Sequence, residues 1–160
     1  MAKREVERTV QQSLLNRLID RDPTGSTEPP MTWAQSVAEL KNSVRRDVEW
    51  LLNTRRIAEP APKELPEVQK SLYHYGLPDI SSISADSPEA RMHLTRRIEE
   101  AIVLFEPRLA DIHVTVVDTA EEGERQIHFV IEGLLRMEPH PEQIAFDTVL
   151  EMLSGEFQVK

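Results

Sequence analysis

The feature of the sequence that most constrains the fold is a change in hydrophobic period on either side of Pro107. Before it, residues 88–105 carry apolar side chains at helical spacing, and Ser87-Pro88 is typical of a helix start. After it, apolar and polar residues alternate from Ile112 onward, which is the period of a strand with one buried face. Helices followed by strands predict an α+β fold, in which N-terminal helices pack on a small antiparallel sheet of about three to four strands formed by the C-terminal half.

The same patterns predict the remaining elements. An N-terminal helix is predicted over residues 4–20, and a second helix is predicted to begin at Ser36, where Ser36 and Glu39 have the spacing of a capping box. The strands are predicted within 112–117, 127–135, 146–153 and 156–159, with a hairpin connection over 118–125. Because prolines and glycine interrupt the pattern between residues 22 and 30, we divide the chain into an N-terminal helix and linker (1–30) and an α+β domain (31–160).

Glu106, Pro107 and Arg108 lie at the junction between the helices and the sheet. The proline ends the helix, and the residue before a proline favours extended backbone. Two interpretations of this acid–proline–base corner are open. The two charges can close on each other as a local salt bridge, or they can offer a partner charge-assisted hydrogen bonds of defined geometry.

Composition excludes several classes of function. The formal net charge of −9 argues against binding of a nucleic-acid backbone. The arginine pairs at 45–46, 55–56 and 96–97 are therefore interpreted as solvated helix faces that pair with nearby acids. The chain has no cysteine, no secretory signal and no apolar run close to the ~20 residues that cross a bilayer. We expect a soluble cytosolic protein with no membrane insertion.

No catalytic, cofactor-binding or metal site is predicted. Glu106 is the best single candidate for a general acid, but Arg108 two residues later would hold it ionised. The histidines lack metal-binding spacing, although two of them fall on neighbouring predicted strands. The five are His74, His93, His113, His128 and His140. No nucleophile elbow, phosphate loop or dinucleotide fingerprint occurs.

Four ordered segments of the chain resemble one family, the TssE proteins. These are type VI secretion baseplate components related to the phage-tail wedge proteins historically labelled lysozyme-like. The helix over residues 46–55 (RDVEWLLNTR) is similar to the family's RDLExLLNTR, with Val48 in place of the commoner leucine. The segments that match the family's YGLPD loop, its EPR motif and its FDT…SG hairpin are 75–79, 106–108 and 146–155. The resemblance covers about residues 13–159.

The resemblance implies assembly rather than enzymatic turnover. It implies a structural baseplate subunit in the cytoplasm, within a membrane-docked complex. That subunit docks onto the TssF/TssG wedge proteins near TssK and templates polymerisation of the TssB/TssC sheath. We predict that Glu106, Pro107 and Arg108 form the partner-binding site, and that an open sheet edge receives a partner strand. The alternatives are a regulatory protein-binding adaptor and a peptidoglycan hydrolase, and the second lacks an identifiable carboxylate pair.

Overall fold

A computed structural model of the chain describes residues 9–19, 31–59, 61–62, 64–80, 87–117 and 126–160. The helices in these ranges are α1 (Leu14–Leu18), α2 (Trp33–Asn53), α3 (Pro66–Gln69) and α4 (Pro88–Phe105), with a 3₁₀ turn at Leu72–His74. The strands are β1 (Leu109–Val117), β2 (Gln126–Leu135), β3 (Glu142–Glu151) and β4 (Glu156–Val159). The chain divides into two compact units, residues 1–44 and 45–160, and the boundary falls within α2.

In the first unit, polar contacts hold the N-terminal segment to the first half of α2. The amide of Val10 donates to Ser36 Oγ (3.1 Å), and Gln12 Nε2 donates to the carbonyl oxygen of Ser36 (2.8 Å). Ser43 Oγ lies 3.3 Å from Ser13 Oγ. Ser36 and Ser43 are each 1% exposed, so these bonds satisfy hydroxyl groups that water does not reach.

The predicted helix over residues 4–20 is wrong for residues 9–13. Helix α1 begins only at Leu14, because Ser13 caps it by accepting a hydrogen bond from the amide of Asn16 (3.2 Å). Leu14 and Leu18 are 70% and 72% exposed, so the apolar spacing that suggested a longer helix does not mark a buried face. Residues 4–8 and residue 20 of that prediction lie outside the described residues.

The predicted start of the second helix at Ser36 is also wrong. Helix α2 begins at Trp33, because Thr32 and Gln35 form the capping box. The amide of Gln35 donates to Thr32 Oγ1 (3.3 Å), and the amide of Thr32 donates to Gln35 Oε1 (2.9 Å). Ser36 lies inside the first turn, where its hydroxyl donates to the carbonyl of Trp33 (2.7 Å).

The second unit is built on a four-stranded antiparallel sheet in which sequence neighbours pair, in the order β1-β2-β3-β4. Alternate residues of the strands are buried, as expected for a sheet with one face in the core. They include Ile127, Phe129, Ile131, Leu135, Phe146, Leu150, Phe157 and Val159. The α+β fold predicted from the sequence is confirmed, and β4 has the predicted bounds. The predicted hairpin connection over 118–125 lies outside the described residues.

A β-bulge shapes the start of β1. The register with β2 shifts between Ala110 and His113, and Asp111 between them has a positive φ of 49°. The bulge adds one residue to β1, so Leu109 and Ile112, three positions apart, are both buried. For this reason β1 begins at Leu109, earlier than the alternation from Ile112 predicts.

Helix α4 has the predicted N-cap and end. Ser87 Oγ accepts from the amide of Ala90 (3.2 Å), and Pro88 occupies the first turn. The buried face of α4 contributes to the core together with the second half of α2, and each fully buried aliphatic side chain contributes about 1.5–3 kcal/mol. These residues are Val48, Leu51, Leu52, Leu94, Ile98, Ala101 and Ile102. Within the described ranges, every helix is too short or too polar to cross a membrane.

A backbone bridge joins the end of α2 to the loop at Gly76. The amide of Leu77 donates to the carbonyl of Thr54, and the amide of Arg56 donates to the carbonyl of Leu77, both at 2.9 Å. Gly76 has a φ of 99°, and a Cβ there would lie 2.2 Å from the carbonyl oxygen of Thr54. Only glycine fits this close approach of two backbones.

We expect Gly76→Ala to lower the free energy of unfolding by at least about 2 kcal/mol, since it adds a backbone clash to a left-handed conformation. The matched control is Gly155→Ala. Gly155 also has a positive φ (70°), but its added Cβ would meet only a side-chain atom, Arg55 Nη2, at 3.0 Å and no backbone atom. That control should lose about 1 kcal/mol. Urea unfolding followed by circular dichroism measures both, and equal losses would contradict the clash.

Candidate docking site

The corner predicted from the sequence is organised around the guanidinium of Arg108. Arg108 Nε donates to Glu106 Oε1 (2.6 Å), and Arg108 Nη2 donates to Glu106 Oε2. The same Nη2 also donates to Asp47 Oδ2 on α2, at 2.7 Å. One arginine therefore binds two carboxylates. Asp47 lies 61 positions before it in the sequence, and Glu106 lies two positions before it.

The backbone of the corner fixes this arrangement locally. Glu106 is the C-cap of α4, and its amide donates to the carbonyl of Ile102 (2.8 Å). Its side chain turns back to accept a bond from the amide of Arg108 (3.2 Å), while the amide of Leu109 donates to its carbonyl (3.1 Å). Pro107 has no amide hydrogen, so this position of the tight turn leaves no N–H group without an acceptor.

Burial differs sharply within the corner. Glu106 is 4% exposed, whereas the side chains of Arg108 and Asp47 are each 26% exposed and Pro107 is on the surface. Burial disfavours the charge on Arg108, but hydrogen bonds and attraction from Glu106 and Asp47 outweigh it and raise the pKa of Arg108 above its ordinary value. The guanidinium is therefore charged at any pH at which the protein is studied.

Aromatic side chains flank the charges on both sides. Tyr75 makes an edge-to-face contact with Phe105, with ring centroids 5.2 Å apart. Burial raises the pKa of Tyr75, and the negative charges of Asp47 and Glu106 raise it further. On α2, the guanidinium of Arg46 lies 5.2 Å from the centre of the Trp50 ring and also binds Asp47 at 3.2 Å. Trp50 is 53% exposed.

Of the two interpretations left open by the sequence, the structure has the local salt bridge between Glu106 and Arg108. It adds a third member, Asp47, that sequence reasoning missed. The sequence pattern favours a pairing of Asp47 with the neighbouring arginines of α2, and no periodic signal links it to Arg108 across 61 positions. Both oxygens of Glu106 accept bonds from Arg108 in a buried position, so neither is open to a substrate as a general acid requires.

A second set of contacts joins the end of α2 to the C-terminal hairpin. Asn53 Nδ2 donates to the carbonyl of Phe157, and the amide of Phe157 donates to Asn53 Oδ1, both at 2.8 Å. Arg55 Nη2 donates to the carbonyl of Gly155 (2.6 Å), and Arg45 Nη1 donates to that of Val159 (2.7 Å). Side chains of α2 thus hold β4 and the turn before it.

The other candidates from the sequence do not assemble a site. His113 lies opposite Glu132, while His128 lies opposite Val117 and Val149, so the two histidines are not paired across the sheet. In the part of the chain that the structure describes, no group of three or more potential ligands could hold a metal ion. Two arginines make the ion pairs expected of solvated helices, the half-buried Arg45 with Glu49 at 3.8 Å and the exposed Arg97 with Glu100 at 3.6 Å.

The helix motif noted in the sequence contacts each of the other three motifs in this unit. It binds the acid–proline–base corner through Asp47, the loop at Gly76 through the carbonyl of Thr54, and the C-terminal hairpin through Arg55, which binds Gly155. The family model for "Baseplate wedge protein gp25" matches residues 38–140, more than half of the chain. The chain belongs to this family. Membership confirms the resemblance and gives the protein a structural role in a baseplate.

Other comparisons add little to the family match. No curated protein matches the sequence. Among solved structures, a chain of "The baseplate complex from the type VI secretion system" is similar to this wedge protein at 22% identity. The similarity covers 68% of this chain and 94% of that chain, with a TM-score of 0.44.

We expect Arg108→Ala to lower the free energy of unfolding by about 3–5 kcal/mol, because it leaves the buried carboxylate of Glu106 without a counter-charge. Adding Glu106→Leu to that variant should restore at least about half of the loss, since an apolar side chain of similar size carries no charge to compensate. Arg97→Ala, which removes an exposed ion pair, should change the value by less than about 1 kcal/mol. Urea unfolding measures all three. A double variant no more stable than Arg108→Ala would contradict the assignment.

Proposed function

We propose that this wedge protein is a TssE-type subunit of a type VI secretion baseplate. It docks onto the TssF/TssG wedge proteins, close to TssK, and templates the TssB/TssC sheath on the cytoplasmic side of a membrane-docked complex. The observation that carries the proposal is that the helix motif shared with TssE proteins contacts the other three shared motifs within a single unit. A chance likeness in scattered segments would not produce interlocking contacts of this kind.

The docking surface in this proposal is the outer rim of the corner. Pro107 is exposed, and the side chains of Arg108 and Asp47 each retain a quarter of their exposure. Glu106 lies too deep for direct contact, so its part is to orient the arginine from below. A partner that covers this rim would desolvate the Arg108 side chain. Because that side chain is already held by Glu106 and Asp47, less conformational entropy is lost on binding.

The aromatic neighbours support the same surface. Interface hot spots are enriched in tryptophan, tyrosine and arginine. The aromatic rings supply apolar contact area, and the charged guanidinium supplies orientation. Trp50, with Arg46 over its ring, is half exposed beside Asp47. We therefore include Trp50 and Arg46 in the surface that meets the wedge proteins.

Sheath templating requires a sheet edge with unpaired backbone groups. On β1, the amide of Val114 donates to Glu99 Oε1 (2.9 Å), so the N–H and C=O of this residue point away from β2. Val116, two residues later in the same register, points the same way. Within the described residues, the carbonyl of Val114 and both backbone groups of Val116 have no hydrogen-bond partner. We assign the receiving edge to this part of β1.

Replacement of Arg108 by lysine tests the docking surface. A lysine retains the positive charge but cannot bind both oxygens of Glu106 and Asp47 as a planar guanidinium does. We expect Arg108→Lys to remain folded and to co-purify with TssF/TssG at least about tenfold less well than the wild type, the loss produced by about 1.4 kcal/mol.

The matched control is Arg97→Lys, at an exposed arginine whose ion pair lies on the solvated face of α4. It should co-purify as the wild type does. Circular dichroism melting of both variants shows that the fold is retained. Wild-type recovery of TssF/TssG by folded Arg108→Lys would contradict docking through the corner.

A further inference from the structure

The outer edge of β4 is occupied by side chains of α2. In an antiparallel strand, the N–H and C=O of one residue point to the same side, and successive residues point to opposite sides. Both groups of Phe157 bind Asn53, and the carbonyl of Val159 binds Arg45, so these two residues face away from β3. Glu156 and Gln158 consequently face β3, with which they are in register.

The side chain of Asn53 makes the hydrogen bonds that a neighbouring strand would make at this edge. Its carboxamide offers one acceptor and one donor, the same pair that a peptide group offers in a sheet. The two bonds to Phe157 are each 2.8 Å long, and Phe157 is 1% exposed. A strand approaching β4 from outside would have to displace both bonds and the bond from Arg45 to Val159.

The two edges of the sheet therefore differ. On β1, Glu99 takes a single amide, that of Val114, and the backbone groups of Val116 have no partner in the described part of the chain. On β4, the side chain of Asn53 takes both backbone groups of Phe157 and that of Arg45 takes the carbonyl of Val159, which are groups that an added strand would need. Unprotected edges invite pairing with any extended chain, so proteins cover those that are not used.

We infer that Asn53, assisted by Arg45, is a specificity-determining residue that closes the β4 edge and makes the sheet extend from β1 alone. The strand excluded from β4 is that of a second copy of this chain, because two β4 edges could pair with each other in antiparallel orientation. The direction of extension rests on the proposed sheath-templating function. Closure of β4 does not, because it is a property of the isolated protein.

The test compares self-association of Asn53→Ala with that of the wild type by sedimentation equilibrium. Removal of the carboxamide leaves the N–H and C=O of Phe157 facing outward, so we expect the self-association constant to rise by about tenfold or more. Asn42→Ala, the same substitution at an exposed position of α2, should match the wild type. A folded Asn53→Ala that associates no more than the wild type would overturn the inference.

Hydrogen exchange tests closure without relying on a variant that folds. In the wild type, the amide of Phe157 should exchange at least about tenfold more slowly than that of Val116, because among the described residues only the first of these two amides has a hydrogen-bond acceptor. Equal rates would overturn the inference. Either failure would leave docking through Arg108 untouched, whereas full TssF/TssG recovery by Arg108→Lys would refute docking and leave the closed β4 edge standing.

Discussion

The pairing of Arg108 with two carboxylates is the constraint on which the rest of this unit depends. A carboxylate as buried as that of Glu106 is costly to place in a folded protein unless a charge and hydrogen bonds compensate it. Arg108 supplies both, and its bond to Asp47 ties the turn between α4 and β1 to α2. This fixes the junction of helix and sheet more strictly than apolar packing alone, because a guanidinium binds two carboxylates only in defined directions.

Helix α2 also connects this junction to the remaining motifs. Its last turns bind the glycine loop through backbone groups and the C-terminal hairpin through side chains. The motifs that look like exposed recognition elements in the sequence therefore mainly make contacts within the protein. The part of these motifs that stays exposed is smaller, namely Pro107, Trp50 and a quarter of the side chains of Arg108 and Asp47.

The sequence predicted the parts of the fold that local physics decides. Helix α4 was found because a serine cap, a proline and an apolar face agree, and β4 because strand alternation resumes after Ser154-Gly155. The predicted extent of the N-terminal helix was wrong because its apolar residues are exposed and because Val10 and Gln12 bind Ser36 instead of continuing a helix. The predicted start of α2 was wrong because two consecutive segments, 32–35 and 36–39, have capping-box spacing, and only contacts in the folded chain select Thr32.

The site was predicted less completely than the fold. The pairing of Glu106 with Arg108 is visible from adjacency in sequence, but its burial is not, since burial depends on how α4, β1 and α2 pack. Asp47 and Asn53 carry no local signal of their own, because their partners lie far along the chain. Long-range polar contacts of this type require the tertiary structure.

The central claim is that the Arg108 guanidinium is locked between Glu106 and Asp47. It is tested most directly by nuclear magnetic resonance of the arginine Nε–H groups at neutral pH. The account predicts a resolved Arg108 Nε–H signal that exchanges with water at least about tenfold more slowly than that of the exposed Arg97, with hindered rotation of the guanidinium. Exchange and rotation of Arg108 as fast as those of Arg97 would contradict it.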